Sequence, residues 1–390
     1  MTTPLPTVDL TDALFRGAMD LDRSGRGVMP HRLPRWVRQQ FPDPQLLMAA
    51  SQPSGVRLAL RTAATVVEID ALRTRREYVG MPPRPDGVYD LFVDGELTAR
   101  SAVDGGAAVR IDMATGTVEH VDGPVGTIRF AGLPAGDKEL ELWLPHDEAT
   151  EVLALRADAP VSPAPDRRRP VWLHHGSSLS QGSGAASPST TWPAVAASAG
   201  EVELVNLGLG GSALLDPFLA RTMRDQAADL IGIAVGINVV NTDVMRLRAF
   251  VPAVHGFLDT VRDGHPTTPL VVLTPTWCPT HEDTPGPAAP TLVDGQVVFR
   301  ATGDPADVLR GRLTLRVIRE QLAAVVAQRS ADDPNLHLVH GTDLYGAADA
   351  ELRPLPDGLH PDAQTHLDMG RRFAELVFGP CGPFARGEWR

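Results

Sequence analysis

The first part of the chain is dominated by short segments in which hydrophobic and polar residues alternate. Alternation places one face of a strand on a core and the other in water. Asp94-Gly95 separates two such segments and is typical of a two-residue β-hairpin, because both central positions of a type I′ turn need positive φ. We therefore predict an all-β sandwich, preceded by an N-terminal arm with a short helix at 34–41. The predicted strands lie at 56–60, 66–70, 88–93, 97–102, 107–112, 126–130, 138–144 and 151–156.

From residue 171 the pattern changes to short, nearly continuous hydrophobic segments separated by longer segments with helical spacing. A continuously hydrophobic strand is typical of a parallel sheet that is covered on both faces. Strands that alternate with helices predict a doubly wound, mostly parallel α/β sheet with right-handed crossovers. The predicted strands are 171–175, 202–208, 230–236, 270–275 and 336–340, and the predicted helices are 192–199, 214–228, 243–263, 306–329 and 363–378.

Between these regions lies a stretch rich in proline and arginine, residues 157–170. Prolines favour an extended backbone, so this stretch predicts a linker. Its arginine run, Arg167–Arg169, is most simply solvated, and contact with a phosphate or an acidic surface is the alternative. The predicted organisation is an arm and β-sandwich domain at 1–156, the linker, and an α/β domain at 171–390.

Composition and charge narrow the class of protein. The 390 residues include 36 lysines and arginines against 48 aspartates and glutamates, and the net charge of −12 disfavours a nucleic-acid or anionic-membrane binder. The two cysteines, Cys278 and Cys381, are too few for a disulfide framework or a four-cysteine zinc site. The N-terminus lacks a secretory pattern, and no hydrophobic run approaches the roughly 20 residues of a membrane helix. We therefore expect a cytoplasmic protein with no membrane partner.

Small, hydroxyl-bearing and amide residues follow the predicted strands of the α/β region. Ligands of doubly wound sheets bind at the carboxyl ends of the strands. A His-His-Gly-Ser-Ser-Leu-Ser-Gln-Gly stretch at 174–182 follows the first strand, and a glycine-rich stretch at 206–212 follows the second. Asn238 follows the third strand, and a loop at 357–362 follows the last. The sequence therefore predicts a site at this edge of the sheet.

These residues suit acyl transfer through a serine. A serine hydroxyl is a weak nucleophile until a histidine accepts its proton, and the histidine needs a carboxylate that fixes its tautomer. Ser178, His360 and Asp357 are the candidates for nucleophile, base and carboxylate. A tetrahedral intermediate also needs donors for its oxyanion. The N–H groups of Ser178 and Gly211, with the side-chain amide of Asn238, are the candidates for this oxyanion hole.

The order of these residues resembles the SGNH (GDSL-type) hydrolase superfamily across residues 171–378. The resemblance implies the same catalytic roles for the same residues. Two departures from the family pattern remove carboxylates, since Ser177 stands at the usual aspartate of the first block and Val239 follows Asn238 in the third. Neither position carries the chemistry, so the departures bear on subfamily and substrate more than on reaction class. The matching blocks are Gly176-Ser177-Ser178-Leu179, Gly211, Gly236-Ile237-Asn238 and the intact Asp-x-x-His-Pro at 357–361.

The whole layout, a β-sandwich before an SGNH domain, resembles bacterial two-domain GDSL esterases and acyltransferases. This resemblance implies a jelly-roll-like sandwich, a flavodoxin-like catalytic domain, and a small-molecule ester or thioester as substrate. Some such enzymes acylate tetracycline-type polyketides, and others deacetylate sugars. A serine esterase is the first expectation, and an acyltransferase that uses a hydroxyl of a small molecule as acceptor in natural-product biosynthesis is the alternative. The loop at 277–286 resembles an element of the same group and is expected to border the site.

Several residues of the candidate site have other interpretations. Ser177 is the alternative nucleophile, whereas Ser180 is expected only to hold the turn. The acidic and histidine residues between 357 and 366 match no standard metal site, so no metal or other cofactor is expected. Asp362 is instead expected to cap the C-terminal helix. Of the adjacent pair His174 and His175, one is expected to point into the core.

A further alternative is a protein that binds a glycan or a partner through its sandwich and has no activity. Four aromatic residues are the candidates for a sugar-stacking surface, although a domain that shapes or covers the active site is favoured. Cys278 is expected to be a buried small residue. The sequence leaves the acyl group, the acceptor and the oligomeric state open. The four aromatic candidates are Trp36, Tyr78, Tyr89 and Trp143.

Overall fold

A computed structural model describes residues 4–81, 84–112 and 115–385, which form two compact units. The segment Gln39–Ala49 belongs to the second unit, the one that holds Ser178, although it precedes the sandwich strands in the sequence. The first unit comprises the residues up to Arg38, Ala50–Arg168 and Ala186–Ser189, and the second comprises Gln39–Ala49, Arg169–Ala185 and the residues from Thr190 onward.

The first unit is built from β-strands, as the alternating pattern predicts. Each of the eight predicted strands is present, and the helix expected at 34–41 is also present. The arm adds four short strands that the pattern did not indicate, and a second, unpredicted helix at 44–51 lies mostly in the segment Gln39–Ala49 of the second unit. The strands are β1 (Thr7–Val8), β2 (Phe15–Arg16), β3 (Asp20–Arg23), β4 (Val28–His31), β5 (Arg57–Thr62), β6 (Val66–Tyr78), β7 (Val88–Val93), β8 (Glu96–Ala102), β9 (Ala107–Ile111), β10 (Val118–Val121), β11 (Gly126–Ala131), β12 (Lys138–Trp143), β13 (Ala149–Ala157) and β14 (Val161–Pro163), and the helices are α1 (Arg35–Gln40) and α2 (Pro44–Ser51).

Two sheets make up this unit. The larger runs β10-β9-β6-β13-β4-β3, with β1 beside β13 and β11 beside β6, and the smaller runs β14-β5-β12-β7-β8, with β2 beside β5. Buried side chains from both sheets, among them Ile69, Leu91 and Leu140, form one hydrophobic core. Polar residues between them face outward, which explains the alternation in the sequence.

The hairpin between β7 and β8 has the predicted type I′ turn. Asp94 has a φ of 51° and Gly95 a φ of 89°, as the two central positions of this turn require. The Asp94 carboxylate also accepts a hydrogen bond from the backbone N–H of Glu139 at 2.9 Å. The turn therefore fastens the hairpin to the neighbouring strand β12.

The proline-rich stretch after β13 is not purely a connection. Strand β14 lies within it and pairs antiparallel with β5. Arg167 donates from Nε to the Glu139 carboxylate at 2.7 Å, so the expectation of a solvated arginine run was wrong for this residue. Two glutamates on the outer face of β12, Glu139 and Glu141, provide the acidic surface that attracts it.

The second unit is the predicted doubly wound α/β sheet. Each of its five parallel strands lies where the hydrophobic pattern placed it. Helices connect the strands and cover both faces, so residues at successive strand positions are buried. The strands are β15 (Val171–Gly176), β16 (Glu203–Gly208), β17 (Leu230–Ala234), β18 (Leu270–Leu273) and β21 (Leu336–Val339), and the helices are α3 (Ser178–Gln181), α4 (Trp192–Gly200), α5 (Pro217–Asp225), α6 (Ile237–Thr242), α7 (Leu247–Gly264), α8 (Leu315–Arg329), α9 (Gly341–Leu344), α10 (Ala347–Leu352) and α11 (Ala363–Phe373).

The strand order of this sheet is β16-β15-β17-β18-β21, the flavodoxin-like arrangement. The chain turns to opposite sides of β15 in building the sheet, so the carboxyl end of β15 is the topological switch point. Doubly wound sheets bind their ligands at such a point. The stretch that contains Ser178 begins there.

Two of the predicted helices begin later than expected, and residues with positive φ mark the difference. The single helix expected at 306–329 was wrong, because Gly311, with a φ of 86°, ends a 3₁₀ segment and Thr314 caps α8 with its hydroxyl. The helix expected at 243–263 begins only at Leu247. Asp243, with a φ of 50°, ends the separate helix α6. Residues with positive φ are thus the breaks that the helical spacing concealed.

The insertion after β18 contains a second hairpin, formed by β19 (Ala288–Val293) and β20 (Gln296–Ala301). Its turn residues, Asp294 and Gly295, have φ values of 50° and 77°. The hairpin therefore has a type I′ turn, with the same Asp-Gly sequence as the hairpin in the sandwich. Across the described residues, no helix combines the length and hydrophobicity needed to cross a membrane.

Candidate active site

Ser178 is the first residue of helix α3, immediately after strand β15. Ser177 caps this helix with its side chain, and Gly182, with a φ of 115°, ends it. The first N–H groups of a helix have no partner within it, so the Ser178 N–H is available to a ligand. Ser177 and Ser180 are buried, at 5% and 2% exposure, whereas Ser178 is only partly buried. Ser178 is therefore the accessible hydroxyl of the three.

His360 lies within hydrogen-bond distance of both of its predicted partners. Its Nδ1 is 2.7 Å from Asp357 Oδ2, and its Nε2 is 3.0 Å from Ser178 Oγ. Ser178 and His360 stand 182 positions apart, and the parallel sheet brings their strand ends to one edge. The geometry of the Ser178, His360 and Asp357 side chains is that of a serine–histidine–aspartate triad.

The Asp357 carboxylate also organises its own loop. Its Oδ1 accepts the backbone N–H groups of Leu359 and His360, at 2.9 and 2.6 Å, while Oδ2 faces the imidazole. Burial raises the pKa of Asp357, but the bonds from His360 and the two N–H groups outweigh burial and keep this pKa below its usual value. The carboxylate is therefore ionised, and its hydrogen bonds direct the proton of His360 to Nδ1.

Asn238 is the second residue of α6 and is 2% exposed. Its Oδ1 accepts the backbone N–H of Ala213 at 3.1 Å. This bond fixes the orientation of the amide, because only the oxygen can accept and Nδ2 must then point away. The preceding Gly236 has a φ of 134°, and a Cβ there would come within 2.7 Å of a Pro275 side-chain carbon. Glycine is thus required where the chain leaves β17 for α6.

Gly211 lies in a tight turn formed by residues 209–212. The backbone N–H of Ser212 donates to the Leu209 carbonyl at 3.0 Å, and Gly211 has a φ of 74°. A Cβ added to the neighbouring Gly210 would lie 3.5 Å from the Ser178 Cβ, so this turn packs directly on the candidate nucleophile. The turn that contains Gly211 thus lies against Ser178, through Gly210.

Buried polar residues form hydrogen bonds with the segment that contains Ser178. His174 Nε2 lies 2.8 Å from Ser180 Oγ, and Asn206 Nδ2 donates to the Ser180 carbonyl at 2.8 Å. Both His174 and His175 are buried, at 1% and 0%, so the expectation that only one points into the core was wrong. The cause is that β15 is covered on both faces. Burial lowers the pKa of His174 to about 3, which keeps this ring neutral.

The alternative interpretations find little support in the geometry. His366 bonds to the Ser183 carbonyl at 2.9 Å and accepts the Trp192 N–H at 3.3 Å. Asp362 caps α11 by accepting the Thr365 N–H at 2.8 Å, as predicted. These side chains therefore have other partners than a shared ion. Cys278 is 2% exposed, and burial raises the pKa of its thiol to about 11, as expected of an inert cysteine.

Two of the four aromatic residues proposed as a sugar-stacking surface are buried or covered, whereas Trp36 is 38% exposed. Tyr89 is fully buried in the core, and the face of Trp143 is covered by the Arg57 guanidinium, 4.7 Å from the ring centroid. The Tyr78 hydroxyl accepts a hydrogen bond from Arg76 at 2.9 Å. A platform for a sugar needs a free aromatic face, which these side chains do not share.

Phe299, which sequence analysis did not identify, lies against the candidate base. Its ring centroid is 5.9 Å from that of His360 at an angle of 81°, and its N–H donates to the Asp357 carbonyl at 2.8 Å. Thr280 donates its hydroxyl to the Gly358 carbonyl at 2.7 Å. The insertion therefore holds the 357–360 loop, as expected of an element that borders the site. The Asp294-Gly295 turn was the available signal for this hairpin.

The carboxyl group of Asp216, just after the turn at 209–212, lies in surroundings that disfavour its charged form. Burial, with a smaller contribution from the negative charge of Asp43, raises its pKa from 3.8 to about 6. The folded state then holds this proton more tightly than the unfolded state, so this group's contribution to stability is lost as pH rises through about 6. Asp216 therefore destabilises the fold at neutral pH.

Replacement of Asp216 by asparagine is expected to remove this penalty, because asparagine has a similar shape and preference for a helix start and no charge. We expect the variant to gain about 1–2 kcal/mol of unfolding free energy over the wild type at about pH 8, and little at about pH 4. Urea unfolding of both proteins at the two pH values measures the difference. An equal gain at both pH values would show that charge is not its cause.

Comparison with known proteins gives matches for both parts of the chain. Residues 13–154 match the family model "SsfX3, N-terminal domain", and residues 169–280 match the "GDSL-like Lipase/Acylhydrolase family". A search of curated protein sequences gives no significant match. The two family matches leave residues 281–385, which contain His360 and Asp357, to the structural comparison.

Solved structures align with nearly the whole chain. The salicylyl-acyltransferase SsfX3 from a tetracycline biosynthetic pathway is 28% identical, with a TM-score of 0.76 over 94% of this chain and 95% of that one. A protein described as a GDSL-like lipase, from Bacteroides ovatus, is 16% identical, with a TM-score of 0.67 over 95% and 96%. A family two carbohydrate esterase from Clostridium thermocellum is 16% identical, with a TM-score of 0.55 over 85% and 94%. The last two likenesses concern the fold alone.

Proposed function

Because the chain is a two-domain GDSL (SGNH) enzyme, in the class of serine ester hydrolases and acyltransferases, we propose that it cleaves an ester or thioester through an acyl-Ser178 intermediate. The observation that carries this proposal is the continuous contact from Ser178 Oγ through His360 to Asp357, at 3.0 and 2.7 Å. A nucleophile, a base and an orienting carboxylate in this arrangement are what acyl transfer requires.

In the first half of the reaction, Ser178 Oγ forms a bond to the carbonyl carbon of the substrate while His360 Nε2 takes the hydroxyl proton. The carbonyl oxygen becomes an oxyanion, for which the N–H groups of Ser178 and Gly211 and the Asn238 amide are the proposed donors. Collapse breaks the bond to the leaving alcohol or thiol, which receives the proton from His360. The acyl group then remains as an ester on Ser178.

In the second half, His360 takes a proton from the acceptor as its oxygen attacks the acyl-serine. Collapse of the second tetrahedral intermediate breaks the bond to Ser178 Oγ, and the serine recovers its proton from His360. With water as acceptor the product is a carboxylic acid, and the enzyme is an esterase. Every one of these steps uses the same three side chains whichever acceptor is present.

The second candidate function is acyl transfer to a hydroxyl group of a small molecule. Likeness to SsfX3, an acyltransferase by name, over 94% of the chain favours it, because the match includes both units. Transfer also requires that water be kept from the acyl-enzyme. Phe299 beside His360 provides an apolar group at the place where an incoming water must be deprotonated.

A fluorophosphonate probe tests the covalent proposal directly. Such a probe phosphonylates an activated serine, and the adduct adds its mass to the intact protein. We expect one adduct, which peptide mapping locates on Ser178, and none in the His360→Ala variant. Labelling of another residue, or none at all in the wild type, would contradict the proposal. Activity that disappears with a chelator would favour a metal-dependent hydrolase instead.

The Phe299→Ala variant is expected to direct the acyl group toward water. Removing the ring opens one side of His360, so the fraction of acyl groups transferred to benzyl alcohol from p-nitrophenyl acetate should fall about 3- to 10-fold. Chromatography of benzyl acetate and acetate measures the partition. Phe299→Leu keeps an apolar side chain of similar volume and serves as the control. An unchanged partition in the alanine variant would exclude Phe299 as a barrier to water.

A further inference from the structure

The turn that carries Gly211 has two glycines at its centre, and its conformation therefore needs support. The Ser212 N–H bond to Leu209, with positive φ at Gly211 alone of the two central residues, defines a type II turn. The central peptide joins the Gly210 carbonyl to the Gly211 N–H. With glycine at both positions this peptide can turn over at little steric cost, and that motion reverses the direction of the Gly211 N–H.

Gln45 holds this peptide in one orientation. Its Nε2 donates to the Gly210 carbonyl at 2.7 Å. In a trans peptide the carbonyl and the N–H point in opposite directions, so a donor on the carbonyl fixes the N–H on the other side. A Cβ added to Gly211 would lie 2.9 Å from Gln45 Nε2, so the amide also rests against the turn.

A second glutamine fixes the peptide before it. The Gly210 N–H donates to Gln181 Oε1 at 2.7 Å, and Gln181 ends the short helix that begins at Ser178. The N–H and the carbonyl of Gly210 are thus each hydrogen-bonded to a glutamine side chain, and the two glutamines come from separate parts of the chain. Among the hydrogen bonds of the described residues, none uses the Gly211 N–H, which leaves this donor for a ligand.

We propose that Gln45 is a positioning residue for the oxyanion hole, which acts by fixing the Gly210–Gly211 peptide. This inference rests on the proposed acyl-serine function. Gln45 lies in Gln39–Ala49, the segment that belongs to the same compact unit as Ser178 but precedes the sandwich in sequence. A hydrogen bond to the Gly210 carbonyl also polarises the peptide and makes its N–H a stronger donor. The segment Gln39–Ala49 thereby contributes to the site through a backbone peptide.

The Gln45→Met variant tests the proposal, because methionine keeps the length of the side chain and cannot donate. Loss of a whole oxyanion donor costs about 10²- to 10³-fold in kcat, so a donor that is merely misdirected part of the time should cost about 10- to 100-fold. We expect KM for p-nitrophenyl acetate to change less than about 3-fold, because the hole acts on the transition state. The pH dependence of kcat/KM should keep its midpoint, since the substitution adds and removes no ionisable group.

A boronic acid inhibitor separates positioning from general damage. Boron forms a tetrahedral adduct with the serine and places an oxygen in the oxyanion hole, so its inhibition constant should rise by the same factor as kcat falls. Gln40→Met is the matched control, because Gln40 lies on the same segment and its amide oxygen accepts a hydrogen bond from Arg221, at 2.9 Å, on the exposed surface. We expect this control to keep wild-type kinetics.

Several outcomes would overturn the inference. These are a Gln45→Met enzyme with kcat within about 2-fold of the wild type, an equal loss in Gln40→Met, or a boronic acid constant that stays unchanged while kcat falls. If Gln45→Met does not fold by circular dichroism, Gln45→Glu provides the second variant, since its carboxylate has the same shape and repels the Gly210 carbonyl. Fluorophosphonate labelling of Ser178 distinguishes the two proposals. If the wild type is labelled on Ser178 and the Gln45→Met enzyme has wild-type kinetics, only this inference is rejected. If the wild type is not labelled, the proposed function is rejected.

Discussion

Replacement of Ser178 by alanine is expected to lower the rate of p-nitrophenyl acetate cleavage by about 10³- to 10⁶-fold. The variant loses the hydroxyl proposed to form the acyl-enzyme, while the proposed oxyanion donors and the orienting carboxylate stay in place. The residual rate should therefore come from attack by water in a site that still stabilises the oxyanion. Steady-state turnover of purified wild type and variant, with chelator present in both assays, measures the loss.

Ser183→Ala is the matched control for this experiment. Ser183 follows the same helix, and its contacts use backbone groups, the N–H to the Ser178 carbonyl and the carbonyl to His366. Alanine preserves these bonds, so turnover should stay within about 2-fold of the wild type. Equal turnover by wild type and Ser178→Ala would reject Ser178 as nucleophile, and Ser177 could then be tested in the same way. A large loss in both variants would indicate damage to the helix rather than loss of a nucleophile.

Residues that follow strand ends were the part of the site that the sequence could predict. Parallel strands bring their carboxyl ends to one edge, so a serine after β15 and an Asp-x-x-His loop that follows β21 are expected at the same edge of the sheet. The structure places Ser178, His360 and Asp357 within hydrogen-bond distance for this reason. The sequence around Gln45 carried no comparable signal. No local pattern indicates that a residue of an N-terminal helix hydrogen-bonds to a glycine 165 positions later.

Positive φ explains the main differences between the predicted and observed elements. Helical spacing continues across Gly311, and the helix expected from 243 starts where α6 ends, so only the backbone conformation at Gly311 and Asp243 shows these helix ends. Asp294-Gly295 was a hairpin signal of the kind recognised at Asp94-Gly95, but β19 and β20 contain no buried residue and so lack the alternation that defines a half-buried strand. Short strands of the arm, some only two residues long, are likewise below what periodicity can indicate.

The Asp357→Asn variant is expected to lose about 10³- to 10⁴-fold in kcat/KM for p-nitrophenyl acetate while it keeps the fold. In the wild type, Oδ1 accepts two backbone N–H groups and Oδ2 faces His360 Nδ1. An asparagine must keep its oxygen toward the N–H groups, so its NH₂ faces Nδ1. The imidazole must then accept at Nδ1 and carry its proton on Nε2, where it cannot take the proton of Ser178.

The control for this change lies in the same loop. Asp362→Asn removes a neighbouring negative charge but retains the cap of α11, because asparagine accepts the Thr365 N–H as well as aspartate does. Its turnover should stay close to that of the wild type, so a large loss confined to Asp357→Asn identifies the histidine tautomer rather than net charge as the cause. The tautomer also has its own signature, because the ¹⁵N chemical shifts of His360 should exchange between Nδ1 and Nε2. Wild-type turnover in Asp357→Asn, or an unchanged tautomer with activity lost, would contradict the role assigned to this carboxylate.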